Sequence, residues 1–226
     1  MEEIELFYGY SRTSTARIDP VSLHDSRITV SSETRDRLHR LALDAEMKDN
    51  CTGFHMARTG LLSALLAEKL GLKPDVVHQI YLAAPMHDIG KIAIPDSILL
   101  KPGPLTPDEF EIMKSHTIIG ARIFQSFNDK TLRVAHSIAL CHHEKWDGTG
   151  YPAGLKGYDI PIAGRIVALA DACDAMCSLR PYREPLPLQT ACESIEEGRG
   201  SHFDPSIVDT FFEYLPLVRE IQQRIS

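Results

Sequence analysis

The chain has 226 residues, with 24 Lys and Arg against 31 Asp and Glu, a formal net charge of −7 with His neutral. That length accommodates one large domain or two small ones and buries a core without staples, and the acidic balance excludes a general nucleic-acid binder, which needs clustered cations. A hydrophobic fraction of 43% with 24% charged residues excludes a disordered chain. No apolar run approaches the roughly 18 residues of a membrane span, and Met1-Glu2-Glu3 is no signal-peptide start. The five Cys (51, 141, 173, 177 and 192) form no C-x-x-C pair. Together these features predict reduced thiols, no disulfide framework and a cytoplasmic location.

Residues 1–31 mix Pro20 with scattered Ser and Thr and read as an irregular N-terminal arm. From Ser32 the apolar spacing turns helical, with Leu38, Leu41, Ala42 and Ala45 recurring at three and four. Leu61, Leu62, Leu65, Leu66 and Leu70 form a second stripe, closed by Gly71 as a helix stop. Val76, Val77, Ile80, Tyr81 and Ala84 form a third that runs into His87; Pro85 deprives the Tyr81 carbonyl of its partner and predicts a kink. The clearest start signal lies at 106–109, where Thr106 caps, Pro107 takes the first helical position and Glu109 completes a capping box. The helix it opens, about 107–126, has a predicted inner face of Phe110, Met113, His116, Ile123 and Phe124. Val134, Ile138 and Cys141 lead into His142 and His143, and a loop rich in Gly, Pro and Tyr fills 147–161. Helices are predicted again at about 162–178, 187–197 and 205–223, the last broken at Pro216. Alternating strand patterns are nearly absent, so one all-α domain over 32–226 is the economical reading.

Five histidines end or line these apolar faces: His55, His87, His116, His142 and His143. Asp88 adjoins His87, and Asp171 follows the apolar run Ile166–Ala170, where a carboxylate needs a partner or a metal. A single such His is usually a hydrogen-bonded core residue. Seven residues of this kind, all at the inner ends of helices, are hard to explain one by one. They are too many for one tetrahedral zinc; with one Asp bridging, they supply four contacts to each of two ions. Imidazole plus carboxylate suits iron, manganese, nickel or zinc. Two ions a few ångströms apart are a recurring device for phosphoester hydrolysis, activating water and stabilising the in-line displacement.

His87-Asp88-Ile89-Gly90-Lys91 reads H-D-I-G-K, and residues 142–152 read H-H-E-K-W-D-G-T-G-Y-P. Together they resemble the HD-GYP family, metal-dependent phosphodiesterases of bacterial cyclic di-GMP signalling, a resemblance that covers roughly 32–215. It implies an HD-superfamily helical bundle with extra C-terminal helices. It implies two divalent transition-metal ions, iron or manganese, on His55, His87, Asp88, His116, His142, His143 and Asp171, with Asp88 as the bridge. It implies further that Lys91 meets a phosphate oxygen, that Arg180 and Arg183 grip the phosphates of the cyclic dinucleotide, and that Tyr151 lies on the signature loop beside the substrate. The reaction implied is hydrolysis of cyclic di-GMP to linear pGpG, with onward cleavage to GMP left open. The Gly-Tyr-Pro loop is a candidate contact for a signalling partner. Two rival readings stand beside it: a hydrolase of another cyclic nucleotide or dinucleotide, and a weakly active cyclic di-GMP sensor or docking module. One departure matters. Family members with three metals carry Glu-Thr-Gly-x-His, whereas here the stretch is Cys51-Thr52-Gly53-Phe54-His55, so two metals are expected, with a third weak or absent.

Overall fold

Helix is the only extended regular structure among the residues that the computed structural model describes, which are 32–48, 53–179 and 184–224. Ten α-helices run in order: α1 (Ser32–Lys48), α2 (Gly53–Lys69), α3 (Pro74–Ala83), α4 (Asp96–Leu99), α5 (Pro107–Gln125), α6 (Lys130–Cys141), α7 (Ile162–Cys177), α8 (Leu188–Glu197), α9 (Pro205–Glu213) and α10 (Leu215–Arg224). Short 3₁₀ turns at Ala84–Met86 and Ile89–Ala93 link α3 to α4. The arm at 1–31, and Cys51, Arg180 and Arg183, lie outside the described residues.

The centre is a ring of four helices in which α2 packs on α3, α3 on α6, α6 on α7 and α7 back on α2. Leu62 and Leu66 of α2, Ile80 of α3, Leu132 and Ile138 of α6, and Ile166, Val167 and Leu169 of α7 meet there with no exposed surface. Helix α5 flanks α6, α1 covers the 3₁₀ turns, and α8, α9 and α10 close over α2 and α7. The caps expected from the sequence form. Thr106 Oγ1 accepts from the Glu109 N–H at 3.3 Å while Glu109 accepts from the Thr106 N–H at 2.7 Å. Gly71 takes φ 77° just beyond α2, the left-handed conformation that ends a helix cheaply only with Gly.

Three local expectations need correction. Pro85 does not kink a continuing helix: α3 stops at Ala83, and the chain turns through 3₁₀ geometry that aims His87 inward. Phe110 is 45% exposed and so lies outside the core, because it sits in the first turn of α5, beyond the reach of α6. The C-terminal break falls at Tyr214, before Pro216, which occupies the first turn of α10, where a missing N–H is tolerated.

Candidate metal centre

Two glycines bring the elements that carry the site's histidines close together. A Cβ on Gly90 would come within 2.0 Å of the His116 carbonyl oxygen and 2.6 Å of the Gly120 N, so only glycine lets the 3₁₀ turn touch α5. A Cβ on Gly164 would meet the Cys141 Cβ at 2.9 Å, so this position keeps α7 close to the end of α6, immediately before His142. These contacts bring His87, Asp88, His116 and His142 to one point inside the fold, all of them buried.

The histidines are oriented from behind. His87 Nδ1 lies 2.9 Å from the Ala84 carbonyl, His116 Nδ1 2.7 Å from that of Met113, and His142 Nδ1 3.0 Å from that of Ile138. A carbonyl only accepts, so each Nδ1 carries the hydrogen and each Nε2 is left with a lone pair. His55 is held by a carboxylate instead, with Nδ1 2.6 Å from Asp174 Oδ2. The Nε2 atoms converge on two carboxylates. Asp88 Oδ1 lies 3.1 Å from His116 and 3.4 Å from His142, while its Oδ2 lies 3.4 Å from His87. Asp171 Oδ1 lies 3.4 Å from His55 and 3.6 Å from His87. His143 completes one side, its ring centroid 4.0 Å from that of His142 and 5.1 Å from that of His116.

These approaches lack hydrogen-bond alignment: His87 Nε2, His116 Nε2, His142 Nε2 and Asp88 Oδ1 are buried with no hydrogen-bond partner. Buried polar groups of a folded protein are normally satisfied, and neighbouring donors on one transition-metal ion, each about 2.0–2.2 Å from it, stand about 3 Å apart. The donor set therefore fits metal ions. The ligand atoms of Asp88, His116, His142 and His143 form one group, those of Glu46, His55 and His87 a second, each within 4.8 Å of one another.

The electrostatics differ from ring to ring: burial opposes charge on His55 and His87, but the neighbouring carboxylates outweigh it and hold both above the ordinary imidazole value. Burial pushes the His142 and His143 rings toward the neutral form that ligates metal. Burial opposes charge on Asp88, yet Lys91 and His87 hold its carboxyl well below the usual range. For Asp171 burial likewise opposes charge, and His87 and His55 outweigh it.

Of the remaining candidates, Lys91 places its Nζ 2.7 Å from Asp88 Oδ2. Tyr151 stacks on His143 at 4.8 Å between centroids, with Phe110 edge-on to its other side at 6.0 Å. Beside these residues opens a cleft of about 450 Å³ with Ile98, Leu99, Leu105 and Met113 as apolar wall and Lys91 and Lys101 as cations. Its size is that of an ordinary small-molecule site.

Sequence reasoning gave no role to three supporting residues. Glu46, at the end of α1, is 1% exposed and joins His55 and His87. Asp174, one turn after Asp171, holds His55 and accepts from Arg58 Nε at 2.5 Å. A polar residue at i+3 from a ligand on an otherwise apolar helix was the available signal for Asp174; Glu46 gave none. Glu144 of the H-H-E run accepts from the Ala153 and Leu155 N–H groups at 2.8 and 3.0 Å and so pins the Gly-Tyr-Pro loop. Gly150 completes that loop, because a Cβ there would fall 2.3 Å from the Lys145 N.

A family model described as HD domain matches residues 34–207. A cyclic di-GMP phosphodiesterase of Thermotoga maritima is 49% identical over 187 residues, which is 83% of this chain and 51% of that protein. A 3'3'-cGAMP-specific phosphodiesterase 2 of Vibrio cholerae is 40% identical over 187 residues, 83% of this chain and 36% of that one. The chain thus spans about half the length, or less, of these relatives. A solved HDG"Y"P protein from Bdellovibrio bacteriovorus shares the fold, with a TM-score of 0.59 at 24% identity, over 81% of this chain and 63% of that one.

Proposed function

The chain belongs to the HD domain family, in its HD-GYP branch, and from that premise we propose that it is a metal-dependent phosphodiesterase opening cyclic di-GMP to linear pGpG. The observation that carries the proposal is the set of Nε2 atoms, fixed from behind through Nδ1 and turned onto Asp88 and Asp171 with no hydrogen-bond partner for three of them. Two divalent ions, iron or manganese by donor type, would be held by His55, His87 and Asp171 on one side and His116, His142 and His143 on the other, with Asp88 between them. When bound, they supply water activation and Lewis-acid stabilisation of a phosphoryl centre.

The protein's own residues do the rest. Asp88 presents one oxygen to each group of histidines and fixes their spacing. Lys91, beside Asp88 at the cleft edge, donates to a phosphate oxygen and offsets its growing negative charge. Tyr151 and the apolar wall with Met113 give a base an aromatic ring and aliphatic side chains to pack on. Arg180 and Arg183 grip a phosphate, since an acidic chain must recruit an anion with local cations. The catalytic unit is 32–226, preceded by an arm over 1–31, and it works in the cytoplasm with the Gly-Tyr-Pro loop free to meet a signalling partner. Among the described residues no helix is long and apolar enough to cross a membrane.

Three relatives named 3'3'-cGAMP-specific phosphodiesterases favour a second reading, 3'3'-cGAMP as substrate. Anaerobic purification with metal analysis, followed by product chromatography on cyclic di-GMP and 3'3'-cGAMP, decides. Faster turnover of cyclic di-GMP supports the first reading, faster turnover of 3'3'-cGAMP the second. Binding without turnover by metal-loaded protein leaves a sensor module and overturns both.

A further inference from the structure

Glu46 presents a buried acid that the two-ion scheme leaves unused. It lies in the last turns of α1, 1% exposed, and both carboxylate oxygens are buried without a hydrogen-bond partner. Its neighbours are histidines: one ligand atom each from Glu46, His55 and His87 lies within 4.8 Å of the others. His55 Nδ1 is already engaged by Asp174 and His87 Nδ1 by the Ala84 carbonyl, so each ring has only Nε2 to offer. Those Nε2 atoms are the ones that approach Asp171 Oδ1. A buried carboxylate that no donor satisfies, with an imidazole as its electrostatic partner, is an expensive arrangement in a protein interior. Two imidazole rings that Glu46 and Asp171 both approach are, by contrast, donors suited to a divalent transition metal.

We propose that Glu46 is a direct ligand of the ion held by His55, His87 and Asp171, a carboxylate supplied from α1 in a chain that has Cys51 where the family pattern has Glu. The consequence is a site closed by a helix that packs on the H-D turn from outside the four-helix ring. The C-terminal end of α1 is therefore part of the metal centre, and whatever displaces α1 empties one of the two positions.

The inference rests on the two-ion reading above, and the test separates them. Metal-free protein is titrated with Mn(II) under anaerobic conditions, and bound metal is counted for wild type, Glu46→Gln and Glu46→Asp. Glu46→Gln keeps shape and removes charge, so the metal-free form is expected to fold and melt like wild type or higher, which circular dichroism checks. It is expected to bind one equivalent fewer than wild type, with that equivalent weakened by about 100-fold or more, beyond the range typical of residues that only support a ligand. The rise in Tm on adding Mn(II), set by linkage to the bound ions, shrinks accordingly. Glu46→Asp is expected to recover part of the lost equivalent. Wild-type stoichiometry and affinity in Glu46→Gln would overturn the ligand role alone. Wild-type protein that takes up no Mn(II) would instead sink the metal reading beneath it.

Discussion

The two halves of the metal centre are built by different means. The half made of His116, His142 and His143 is held by helix geometry: His116 and His142 use Nδ1 on carbonyls three or four residues back on their own helices. In the half made of His55, His87 and Asp171, the Ala84 carbonyl braces His87 in the same local way, but His55 is held across the fold. His55 depends on Asp174, 119 residues away, and Asp174 in turn accepts from Arg58, Ser178 and Gln222. A ring braced by its own backbone is fixed once the helix forms. One braced by a network of charges keeps its aim only while every partner is present. The first half is thus the rigid one, and the second the half that substitution can loosen without unfolding the bundle.

Asp88 belongs to both halves, and its loss is the largest effect. Asp88→Ala is expected to lose both ions and to lower turnover by about 10³-fold or more, as elemental analysis and a turnover assay on one sample would show. Retention of one full equivalent would mean that the halves do not share this carboxylate.

Lys91 belongs to neither. Lys91→Ala is expected to retain the full metal content and to lose about 10²–10³ in rate, the usual consequence of removing one charge-stabilising donor. A site emptied of metal by this change would place Lys91 in the scaffold of the centre instead.

Asp174→Asn separates the halves most cleanly. It removes the charge from a buried pair with Arg58 and leaves one acceptor oxygen to serve both Arg58 and His55. Chemical denaturation is expected to show a loss of about 3–5 kcal/mol, and Mn(II) affinity to fall about 10–100-fold at one equivalent only. Equal weakening at both equivalents would erase the distinction drawn here. For Arg180 and Arg183 the effect is smallest: each Arg→Ala change is expected to raise KM about tenfold with kcat largely kept, the signature of lost uniform binding. A lowered kcat at unchanged KM would move these residues into the chemical step.

The same contrast explains what could be read before the structure. The helix stripes, the Thr106 capping box and the Gly71 stop are local patterns, and they reappear where expected. His87-Asp88 and His142-His143 stand at the inner ends of helices, so periodicity alone drew attention to them. Glu46 was invisible for the opposite reason, and Asp174 showed only as one polar residue on an apolar helix. Their roles come from partners on other helices, and nothing in the spacing around Glu46 tells that the end of α1 faces His55. Phe110 was misplaced because periodicity gives the face of a helix and not how far along it the neighbour extends. Glu144 was hidden inside a motif: it stands beside two histidines, and the loop folds back so that its carboxylate accepts from the N–H groups of Ala153 and Leu155.

The central claim is that seven side chains converge to hold metal ions that cleave a cyclic dinucleotide. The most direct measurement is metal content and cyclic di-GMP hydrolysis on one anaerobically purified sample, before and after removal of metal with a chelator and again after its return. The account predicts about two ions per chain, pGpG as product, loss of turnover with the metal and recovery with its return. Hydrolysis that persists at undiminished rate in the fully chelated protein would contradict it.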